Sequence, residues 1–443
     1  MELQTLFPAH IAEMTLRSKT LCEREGYELL AIHAGQLKRA FLDDMEYPFK
    51  ANPHFKSWCP LDNLPHSWVV FNPNLNKPTL VILHSEAFWY EQPNLSTAPW
   101  VRMFHVELIA RPDQVDRILP YDRKRAVYIG EHIEVAQALG FELVNPEAAL
   151  SFLSYYRAIK TDYELQCIRR ANETAIRGHR AVAEIWAQGA SEFDCLMVYM
   201  QATQQRENEM HYPPIIGENE HAAILHYRGK STLPQRRGEH RSLMIDAGAN
   251  YAGYAADISR SYSGKDASDE YKALIEGVAH IAQALVLKLK PGMAFADLHH
   301  QAHVHIAQLL IQFGICSINA EDIVENQISH VFMPHGIGHF IGLQVHDVGG
   351  NLANEYGQLA PSPQNYPQLK STRTIAPAMA LTIEPGIYFI DSLLHQLQES
   401  AVGRTINWQK VEALSPYGGI RIEDNIIIHS NRNENVTREL GLG

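Results

Sequence analysis

Two aspartates in one predicted hairpin carry the strongest chemical signal in this sequence. Asp246 ends a short apolar strand, Ser242 to Asp246, and Asp257 lies in a second strand candidate, Tyr254 to Tyr262. The turn between them is rich in Gly and Asn, which predicts that the strands pair and that the two carboxylates face each other. Carboxylates held close together repel unless one is protonated or a cation lies between them, and divalent cations prefer such oxygen ligands.

Later segments supply residues that would complete a metal site. His335, His339 and His346 lie close together in sequence and are interspersed with glycines, which let the backbone approach a ligand closely. Glu384 follows an apolar strand and precedes a Pro-Gly turn, and Glu423 lies in another short strand. Taken singly, each glutamate is more simply explained by a salt bridge and each aspartate by turn formation, so the prediction depends on the whole set.

One histidine and four carboxylates make up the candidate ligand set: Asp246, Asp257, His339, Glu384 and Glu423. Two divalent cations would balance the four negative charges. Shared carboxylates with a single histidine are typical ligands of paired Mn²⁺ or Co²⁺, whereas structural Zn²⁺ prefers cysteine and histidine. The sequence therefore predicts a dinuclear metal site.

The composition limits the class of protein and its partners. The chain has 443 residues, enough for two or three domains, and its net charge of −12 argues against nucleic acid or an anionic membrane as the main partner. Its five cysteines are scattered and odd in number, which is typical of reduced thiols in a cytoplasmic protein. Neither a signal peptide nor an apolar run of membrane length is recognisable.

The elements that must position these residues fall into two parts, with a predicted boundary near Thr161. Residues 1–160 alternate strand and helix candidates, which indicates an α/β domain with a mixed sheet. Residues 161–443 combine long helices with the short strands that carry the carboxylates, which indicates an α+β domain. The polar segments 348–368 and 390–412 are predicted to be long loops.

The order Asp, Asp, His, Glu, Glu resembles that of the pita-bread metallopeptidases, which include methionine aminopeptidase, aminopeptidase P and prolidase. The strings at 382–386 (Thr-Ile-Glu-Pro-Gly) and 418–425 (Gly-Gly-Ile-Arg-Ile-Glu-Asp-Asn) are similar to signatures of that family. The segments 41–44 (Phe-Leu-Asp-Asp) and 387–394 resemble its bacterial Xaa-Pro dipeptidase (prolidase) branch in particular. The resemblance covers nearly the whole chain. It implies an α+β protein with a creatinase/prolidase-like N-terminal α/β domain and a C-terminal pita-bread metallopeptidase domain.

The resemblance also implies a role for each candidate ligand by its position. Asp246 would chelate the first metal ion, and Asp257 and Glu423 would bridge both ions. His339 and Glu384 would complete the second. Two divalent ions per subunit are implied, with Mn²⁺ as the expected metal and Co²⁺ as a substitute. Creatinase keeps the fold without these ligands, but all five are present here.

The implied activity is hydrolysis of dipeptides with a C-terminal proline, by a hydroxide that bridges the metal ions and attacks the carbonyl carbon. Glu384 would take the water proton and pass it to the proline nitrogen. His226, His335 and His346 match family histidines that handle the substrate, with His226 or His346 stabilising the oxyanion. Arg421 matches an arginine that supports the neighbouring glutamate ligand.

Three further residues are expected to bind the substrate. In the resembling enzymes a basic residue takes the proline carboxylate, and this chain has Lys370 where an arginine is expected. Lysine lacks the bidentate geometry of arginine, so affinity for the carboxylate would be weaker unless Arg373 substitutes. Tyr212 and Asp44 would shape the pocket for the amino end, with Asp44 reaching it from the neighbouring subunit of a homodimer.

Three alternatives to a dipeptidase stay open at this point. An aminopeptidase P-type enzyme would remove the residue before proline from longer peptides. Promiscuous hydrolysis of organophosphate triesters is implied by similar bacterial prolidases, because an activated hydroxide attacks phosphorus as well as carbon. A non-catalytic binding protein on the same fold is disfavoured by the complete ligand set and by the acidic net charge.

Overall fold

The fold is described by a computed structural model over residues 3–61, 63–84, 98–206, 208–234, 238–367 and 369–443. The chain divides into two compact units. The first contains the chain up to Cys167 together with Ala252–Tyr254 and Leu352–Leu359, and the second contains Ile168–Tyr251, Ala255–Asn351 and Ala360–Gly443. Within the described ranges, no helix combines the length and the apolar character that crossing a membrane requires.

A mixed sheet of six strands forms the centre of the first unit. The strands are β1 (Leu29–His33), β2 (Trp68–Phe71), β3 (Thr79–Leu83), β4 (His105–Ile109), β5 (Ala126–Ile129) and β6 (Leu143–Val144). Their order is β4-β3-β2-β1-β5-β6, and β1 pairs antiparallel with β2 and parallel with β5. The helices are α1 (Leu3–Glu25), α2 (Pro53–Lys56), α3 (Ile133–Ala138) and α4 (Glu147–Arg157). The predicted α/β arrangement with a mixed sheet is confirmed.

The second unit is built from helices and short antiparallel strands. After α5 (Asp162–Ala187), which begins in the first unit, its helices are α6 (Glu192–Thr203), α7 (Asp269–Lys288), α8 (Phe295–Gln312), α9 (Ala320–Glu325), α10 (Ile328–Phe332), α11 (Asp391–Glu399), α12 (Trp408–Leu414) and α13 (Val436–Glu439). Its strands are β7 (Ile215–Glu218), β8 (Ser242–Asp246), β9 (Asn250–Tyr251), β10 (Tyr254–Ala255, whose first residue belongs to the first unit), β11 (Ser259–Ser263), β12 (Ala380–Ile383), β13 (Gly386–Tyr388), β14 (Gly419–Arg421), β15 (Asp424–Ile428) and β16 (Asn433–Asn435).

Three antiparallel sheets bring distant parts of the second unit together. Their orders are β7-β8-β11, β12-β15-β16 and β13-β14. In the first sheet Ser259 lies opposite Asp246, and an isolated bridge joins the same Ser259 to Glu423. Apolar residues of α5 and α6, including Trp186 and Tyr199, pack against Leu243 of β8 in one core cluster. The strand that ends at Asp246 is therefore backed by a closely packed apolar core.

The second strand of the predicted hairpin is interrupted. β10 ends at Ala255 and β11 begins at Ser259, so Asp257 lies in the gap between two strands. The backbone N–H of Asp257 donates to Asn425 Oδ1 at 3.0 Å, and the Asn425 amide donates back to the Asp257 carbonyl. A side chain thus replaces the strand partner at this residue. The prediction of a continuous strand was wrong, but the predicted antiparallel pairing with β8 is confirmed.

One of the two predicted loops is mostly helical. Residues 390–412 contain α11 and most of α12, because Leu394 and Leu397 bury one face of α11 and the Asn407 side chain caps α12. The polar composition concealed this pattern. The other segment, 348–368, is irregular in its described residues, while its last residue lies outside them.

Candidate metal centre

The predicted ligands meet where strands of the second unit end. Asp246 is the last residue of β8, and Glu384 directly follows β12. Asp257 lies between β10 and β11, and Glu423 lies between β14 and β15. His339 comes from the glycine-rich segment beside β12. Side chains at strand ends are free of the ladder and project together from the rim of the sheets.

Two glycines make this close approach possible. A Cβ at Gly338 would lie 2.0 Å from the Thr382 carbonyl oxygen, and one at Gly248 would lie 1.8 Å from the Ala256 carbonyl oxygen. The first contact lets the His339 N–H donate to Thr382 Oγ1 at 3.1 Å, while the Thr382 N–H donates to the His339 carbonyl at 2.8 Å. No larger residue fits either position without moving the backbone.

His339 directs its Nε2 at three carboxylates. The distances are 3.3 Å to Asp257 Oδ2, 3.8 Å to Glu384 Oε1 and 3.9 Å to Glu423 Oε1. Its Nδ1 lies 3.0 Å from the Phe340 carbonyl oxygen, which only accepts, so the neutral ring carries its proton on Nδ1. Nε2 then presents a lone pair to the carboxylates. A lone pair and anionic oxygens that converge in this way fit a cation.

The candidate ligand carboxylates are largely buried and close together, and their ionised forms need a nearby positive charge. One ligand atom each from Asp257, His339 and Glu423 lies within 4.8 Å of the others. Glu423 Oε1 is buried and has no hydrogen-bond partner among the described residues. Burial raises the pKa values of Asp257, Glu384 and Glu423 well above their usual range, and repulsion from Asp246, Glu423 and Asp257, respectively, adds to the effect. These oxygen-rich, mutually repelling donors fit divalent cations.

Arg421 supplies a fixed positive charge beside the carboxylates. Its Nη2 donates to Asp246 Oδ2 at 2.6 Å, its Nε donates to Ser259 Oγ at 3.0 Å, and its Nη1 donates to the Tyr388 hydroxyl at 2.8 Å. Ser259 Oγ in turn donates to Glu423 Oε2 at 2.8 Å. Arg421 therefore reaches Glu423 through Ser259 and contacts Asp246 directly.

Both ring nitrogens of His335 are engaged. Nδ1 donates to the Gly336 carbonyl at 2.8 Å, so Nε2 accepts from the Tyr388 hydroxyl at 2.9 Å. Burial, followed by the Arg421 charge, lowers the pKa of His335 to about 4. The ring is therefore neutral at pH 7, and its Nδ1 lies 3.6 Å from Glu384 Oε2.

Tyr212 contacts the ligands themselves. Its hydroxyl lies 2.9 Å from Asp246 Oδ1 and also hydrogen-bonds to Asp257 Oδ1. Burial and these two carboxylates raise the pKa of Tyr212 well above its ordinary value. The sequence placed this residue in a pocket for the amino end of a substrate, and the structure adds a contact to two candidate ligands that the sequence did not indicate.

A cavity of about 370 Å³ opens over the ligands. Its lining includes all five ligands, Arg421 and the predicted substrate residues His226, His335, His346 and Lys370. Burial and the neighbouring His339 lower the pKa of His346 to about 4, so this ring is also neutral at pH 7. Arg373 is buried and donates to the Gly349 carbonyl, which does not support its substitution for Lys370. Asp44 belongs to the first unit, where it is exposed.

A buried hydrogen-bond network that includes residues from the C-terminal part of the chain holds the backbone of Asp257. Asn425, whose side chain brackets the Asp257 backbone, accepts from Asn172 Nδ2 at 2.9 Å. The Asn425 N–H donates to Thr437 Oγ1 at 2.9 Å, and that hydroxyl donates to Asn172 Oδ1 at 3.1 Å. All three side chains are buried. The last helix, α13, thus helps to fix a residue that lies far from it in sequence.

Sequence reasoning missed Tyr388, Ser259 and Asn425 as parts of the site. Tyr388 and Asn425 stood in the strings that supported the family resemblance, but their contacts depend on strand register. Gly386 lies opposite Arg421 in the β13–β14 pair, which brings Tyr388 and Arg421 to the same region. Alternation along the strand would have placed Tyr388 near a ligand, but not against Arg421 and His335.

The model for "Metallopeptidase family M24" matches residues 166–430, and the model for "Xaa-Pro dipeptidase, N-terminal domain" matches residues 5–155. The chain belongs to metallopeptidase family M24. The predicted membership and the predicted combination of an N-terminal prolidase-like domain with a pita-bread metallopeptidase domain are confirmed.

Curated members of family M24 are similar over their full length. Xaa-Pro dipeptidase 1 of Idiomarina loihiensis is 49% identical over 443 residues, which cover 100% of this chain and 96% of that protein. Xaa-Pro dipeptidase of Pseudoalteromonas translucida is 49% identical over 442 residues, covering 100% and 99%. Among solved structures, aminopeptidase P from Escherichia coli with the inhibitor Pro-Leu aligns with a TM-score of 0.73 at 20% identity, covering 99% of this chain and 95% of that one. Proline aminopeptidase P II from Yersinia pestis gives 0.73 at 21% identity, covering 99% and 97%. At these identities the structures support the fold alone.

The charge of this M24 site makes metal binding depend on pH. The folded-state pKa values of Asp257, Glu384 and Glu423 are raised. Without metal, the stability contributed by the protonated carboxyls is fully present below their unfolded pKa values and is lost as pH rises through the folded ones. A divalent cation needs the ionised ligands and offsets their repulsion.

We therefore expect Mn²⁺ to raise Tm more at pH 8 than at pH 5.5, by about 5 °C or more. Calorimetry of metal-stripped and reloaded protein at the two pH values measures this difference. A larger rise at pH 5.5 would contradict the arrangement of ionised ligands.

Proposed function

We propose that this protein is an Xaa-Pro dipeptidase, which hydrolyses dipeptides with a C-terminal proline. The observation that carries the proposal is that five converging ligands line one cavity together with a basic side chain, Lys370. Such a cavity offers a place for a scissile carbonyl and for the carboxylate of a short substrate. The names of the curated relatives, which are Xaa-Pro dipeptidases over the full length of the chain, support the same substrate.

We further propose two divalent ions per subunit, Mn²⁺ as the resident metal and Co²⁺ as a substitute. Asp246 would hold the first ion, Asp257 and Glu423 would bridge both, and His339 and Glu384 would hold the second. When bound, such a pair lowers the pKa of a shared water and polarises a carbonyl oxygen. Two contacts support these assignments: His339 turns its Nδ1 to the Phe340 carbonyl and its Nε2 to the carboxylates, and Glu423 Oε1 has no hydrogen-bond partner among the described residues.

The chain's own groups would move the proton and hold the substrate. Glu384 takes a proton from the attacking water and transfers it to the proline nitrogen while the carbon–nitrogen bond breaks. His226 or His346 donates an N–H to the developing oxyanion. The neutral state of His346 at pH 7 leaves it one N–H to donate. His335 and Arg421 act on the substrate indirectly, by holding other residues of the site. Their N–H groups already donate to the Gly336 carbonyl, the Tyr388 hydroxyl and Asp246.

The test uses metal-stripped protein and the substrate Ala-Pro. Hydrolysis should be absent after chelation and should return when Mn²⁺ is added. A folded protein that hydrolyses no Xaa-Pro dipeptide with Mn²⁺ or Co²⁺ would overturn the proposal and favour a binding protein on the same fold.

The aminopeptidase P-type alternative predicts a different order of substrates. A dipeptidase turns over Ala-Pro faster than Ala-Pro-Ala, whereas an aminopeptidase P-type enzyme prefers the tripeptide. Comparing kcat/KM for the two peptides separates these functions. Hydrolysis of organophosphate triesters stays a prediction from the sequence.

We propose that the protein is a homodimer in which the loop around Asp44 reaches the partner's cavity. Phe41 and Leu42 support this because they expose 89% and 90% of their surface next to Asp44. Exposed neighbouring apolar side chains of this size are typical of interfaces.

We expect the double variant Phe41→Ser/Leu42→Ser to elute as a monomer and to show a raised KM for Ala-Pro. Light scattering coupled to size exclusion measures the mass, with Tyr121→Ser, another exposed aromatic of the same unit, as the control. An unchanged mass would contradict the interface.

We also propose two domains, 1–160 and 161–443, and a cytoplasmic location. The family matches to 5–155 and 166–430 support the division. The five cysteines are all free and buried, which supports a reducing compartment.

A further inference from the structure

One buried carboxylate fastens the start of the loop that carries His226. Glu192 is the first residue of α6 and is fully buried. Its Oε1 accepts from the Glu218 backbone N–H at 2.8 Å and from His221 Nδ1 at 2.7 Å. Glu218 ends β7, so this oxygen holds the point where the chain leaves the sheet.

The other oxygen of Glu192 fastens the end of the same loop. Oε2 accepts from the Tyr227 hydroxyl at 2.9 Å and from the Ser231 backbone N–H at 2.6 Å. The Ser231 carbonyl accepts from the Phe193 N–H at 3.0 Å, which adds a second tie to α6. A Cβ at Gly229 would lie 2.5 Å from the Tyr227 hydroxyl oxygen, so the tyrosine folds over a position that only glycine leaves open.

The two fastened ends also contact each other. The rings of His221 and Tyr227 stack with their centroids 4.4 Å apart. Each therefore touches both the other ring and the Glu192 carboxylate. A carboxylate with four donors is well solvated by the protein, and charge-assisted hydrogen bonds of this kind are stronger than neutral ones.

His226 itself has no such support. It lines the cavity, is exposed, and its ring makes no hydrogen bond to any residue that the structure describes. Its position is therefore set by the backbone of the loop, which Glu192 binds at the Glu218 and Ser231 N–H groups and, next to His226, through the Tyr227 side-chain hydroxyl.

We propose that Glu192 is a positioning residue that sets the place of His226 in the cavity, and thereby the rate of dipeptide hydrolysis. This inference rests on the proposed function. Glu192 binds both ends of the loop through its two oxygens, so an amide in its place keeps one acceptor and presents an N–H₂ to the other pair of donors. The loop would then shift and carry His226 with it. A small displacement of a group that contacts the substrate lowers the rate strongly.

The test combines the variants Glu192→Gln, His226→Ala and the double variant in the metal-loaded protein. We expect Glu192→Gln to lower kcat/KM for Ala-Pro by about tenfold or more. In the His226→Ala background the same substitution should have no further effect, because the group that it positions is gone. Amide hydrogen exchange of residues 219–231 should be faster in Glu192→Gln, while metal content stays at the wild-type level.

Two further variants act as controls. Tyr227→Phe removes one of the four donors and should give a smaller loss than Glu192→Gln. Glu434→Gln removes a buried carboxylate of the same unit that is paired with Arg169 and His429, away from this loop. It should leave exchange at 219–231 and kcat/KM unchanged.

Each result decides the proposal. Faster exchange with a loss that disappears in the His226→Ala background supports it. An equal loss in both backgrounds would show a general structural role and overturn it, as would unchanged exchange. If the wild-type protein hydrolyses no Xaa-Pro dipeptide, the proposed function is wrong, and so is the proposed effect of Glu192 on catalysis. The exchange experiment then still shows separately whether Glu192 holds the loop.

Discussion

Replacing Glu384 by glutamine is expected to lower kcat for Ala-Pro by about a thousandfold. Glu384 lies 3.8 Å from His339 Nε2 and lines the cavity, so it can serve both as ligand and as proton carrier. Glutamine keeps the shape but neither the charge nor the ability to take a proton. Measuring kcat together with metal content separates the two roles.

Although Glu384→Gln should lower kcat, it should raise the thermal stability of the metal-free protein. Burial and Glu423 raise the pKa of Glu384, so at pH 7 its ionised form costs stability in the metal-free protein. We therefore expect metal-stripped Glu384→Gln to have a higher Tm than metal-stripped wild type. Glu434→Gln is the control, because Glu434 has a lowered pKa and already accepts from Arg169. A Glu384→Gln variant that retains wild-type kcat with metal bound would refute the assignment.

Replacing Lys370 by methionine is expected to raise KM for Ala-Pro by about 10- to 100-fold, with a much smaller change in kcat. A hydrogen bond between two charged groups contributes about 1.5–3 kcal/mol, and each 1.4 kcal/mol corresponds to tenfold in affinity. Lys370 is the lysine in the cavity lining, and methionine keeps most of its length and apolar stem. Steady-state kinetics of both proteins on Ala-Pro measures the effect.

An amidated substrate isolates the charge that Lys370 is proposed to recognise. Alanyl-prolinamide has no carboxylate, so its KM should be similar for wild type and Lys370→Met. Lys370→Arg should keep or lower the KM for Ala-Pro, because arginine binds a carboxylate through two parallel hydrogen bonds. If Lys370→Met changes neither substrate's KM, another group receives the proline carboxylate.

The convergence of the five candidate ligands on one cavity could be predicted because their chemistry is local. Each is a carboxylate or histidine at the end of a short apolar strand or beside a glycine, and charge balance then requires a cation. The interruption at Asp257 could not be predicted, because it depends on Asn425, which arrives from far along the chain. A sequence pattern reports which face a residue occupies, but not which distant amide will replace its strand partner.

The supporting residues were harder to find for a similar reason. Glu192 stands in a helix N-terminus rich in acidic residues, where an exposed charge that favours the helix dipole is the ordinary expectation. Glu192 becomes buried and accepts its four hydrogen bonds only when the loop that follows β7 folds against α6. Helices α11 and α12 were missed because both are short and lie in a segment of mostly polar residues, and the two buried leucines of α11 are a weak periodic signal.

The network of Asn172, Asn425 and Thr437 has a consequence for synthesis on the ribosome. Asn172 is translated early in the second unit, whereas its two partners emerge more than 250 positions later. Arg421 and Glu423 also come late, so a nascent chain that has already exposed Asp246 still lacks the groups that hold it in place. The centre is completed only after Thr437 has left the exit tunnel, so it forms later than the first unit, which can fold during elongation.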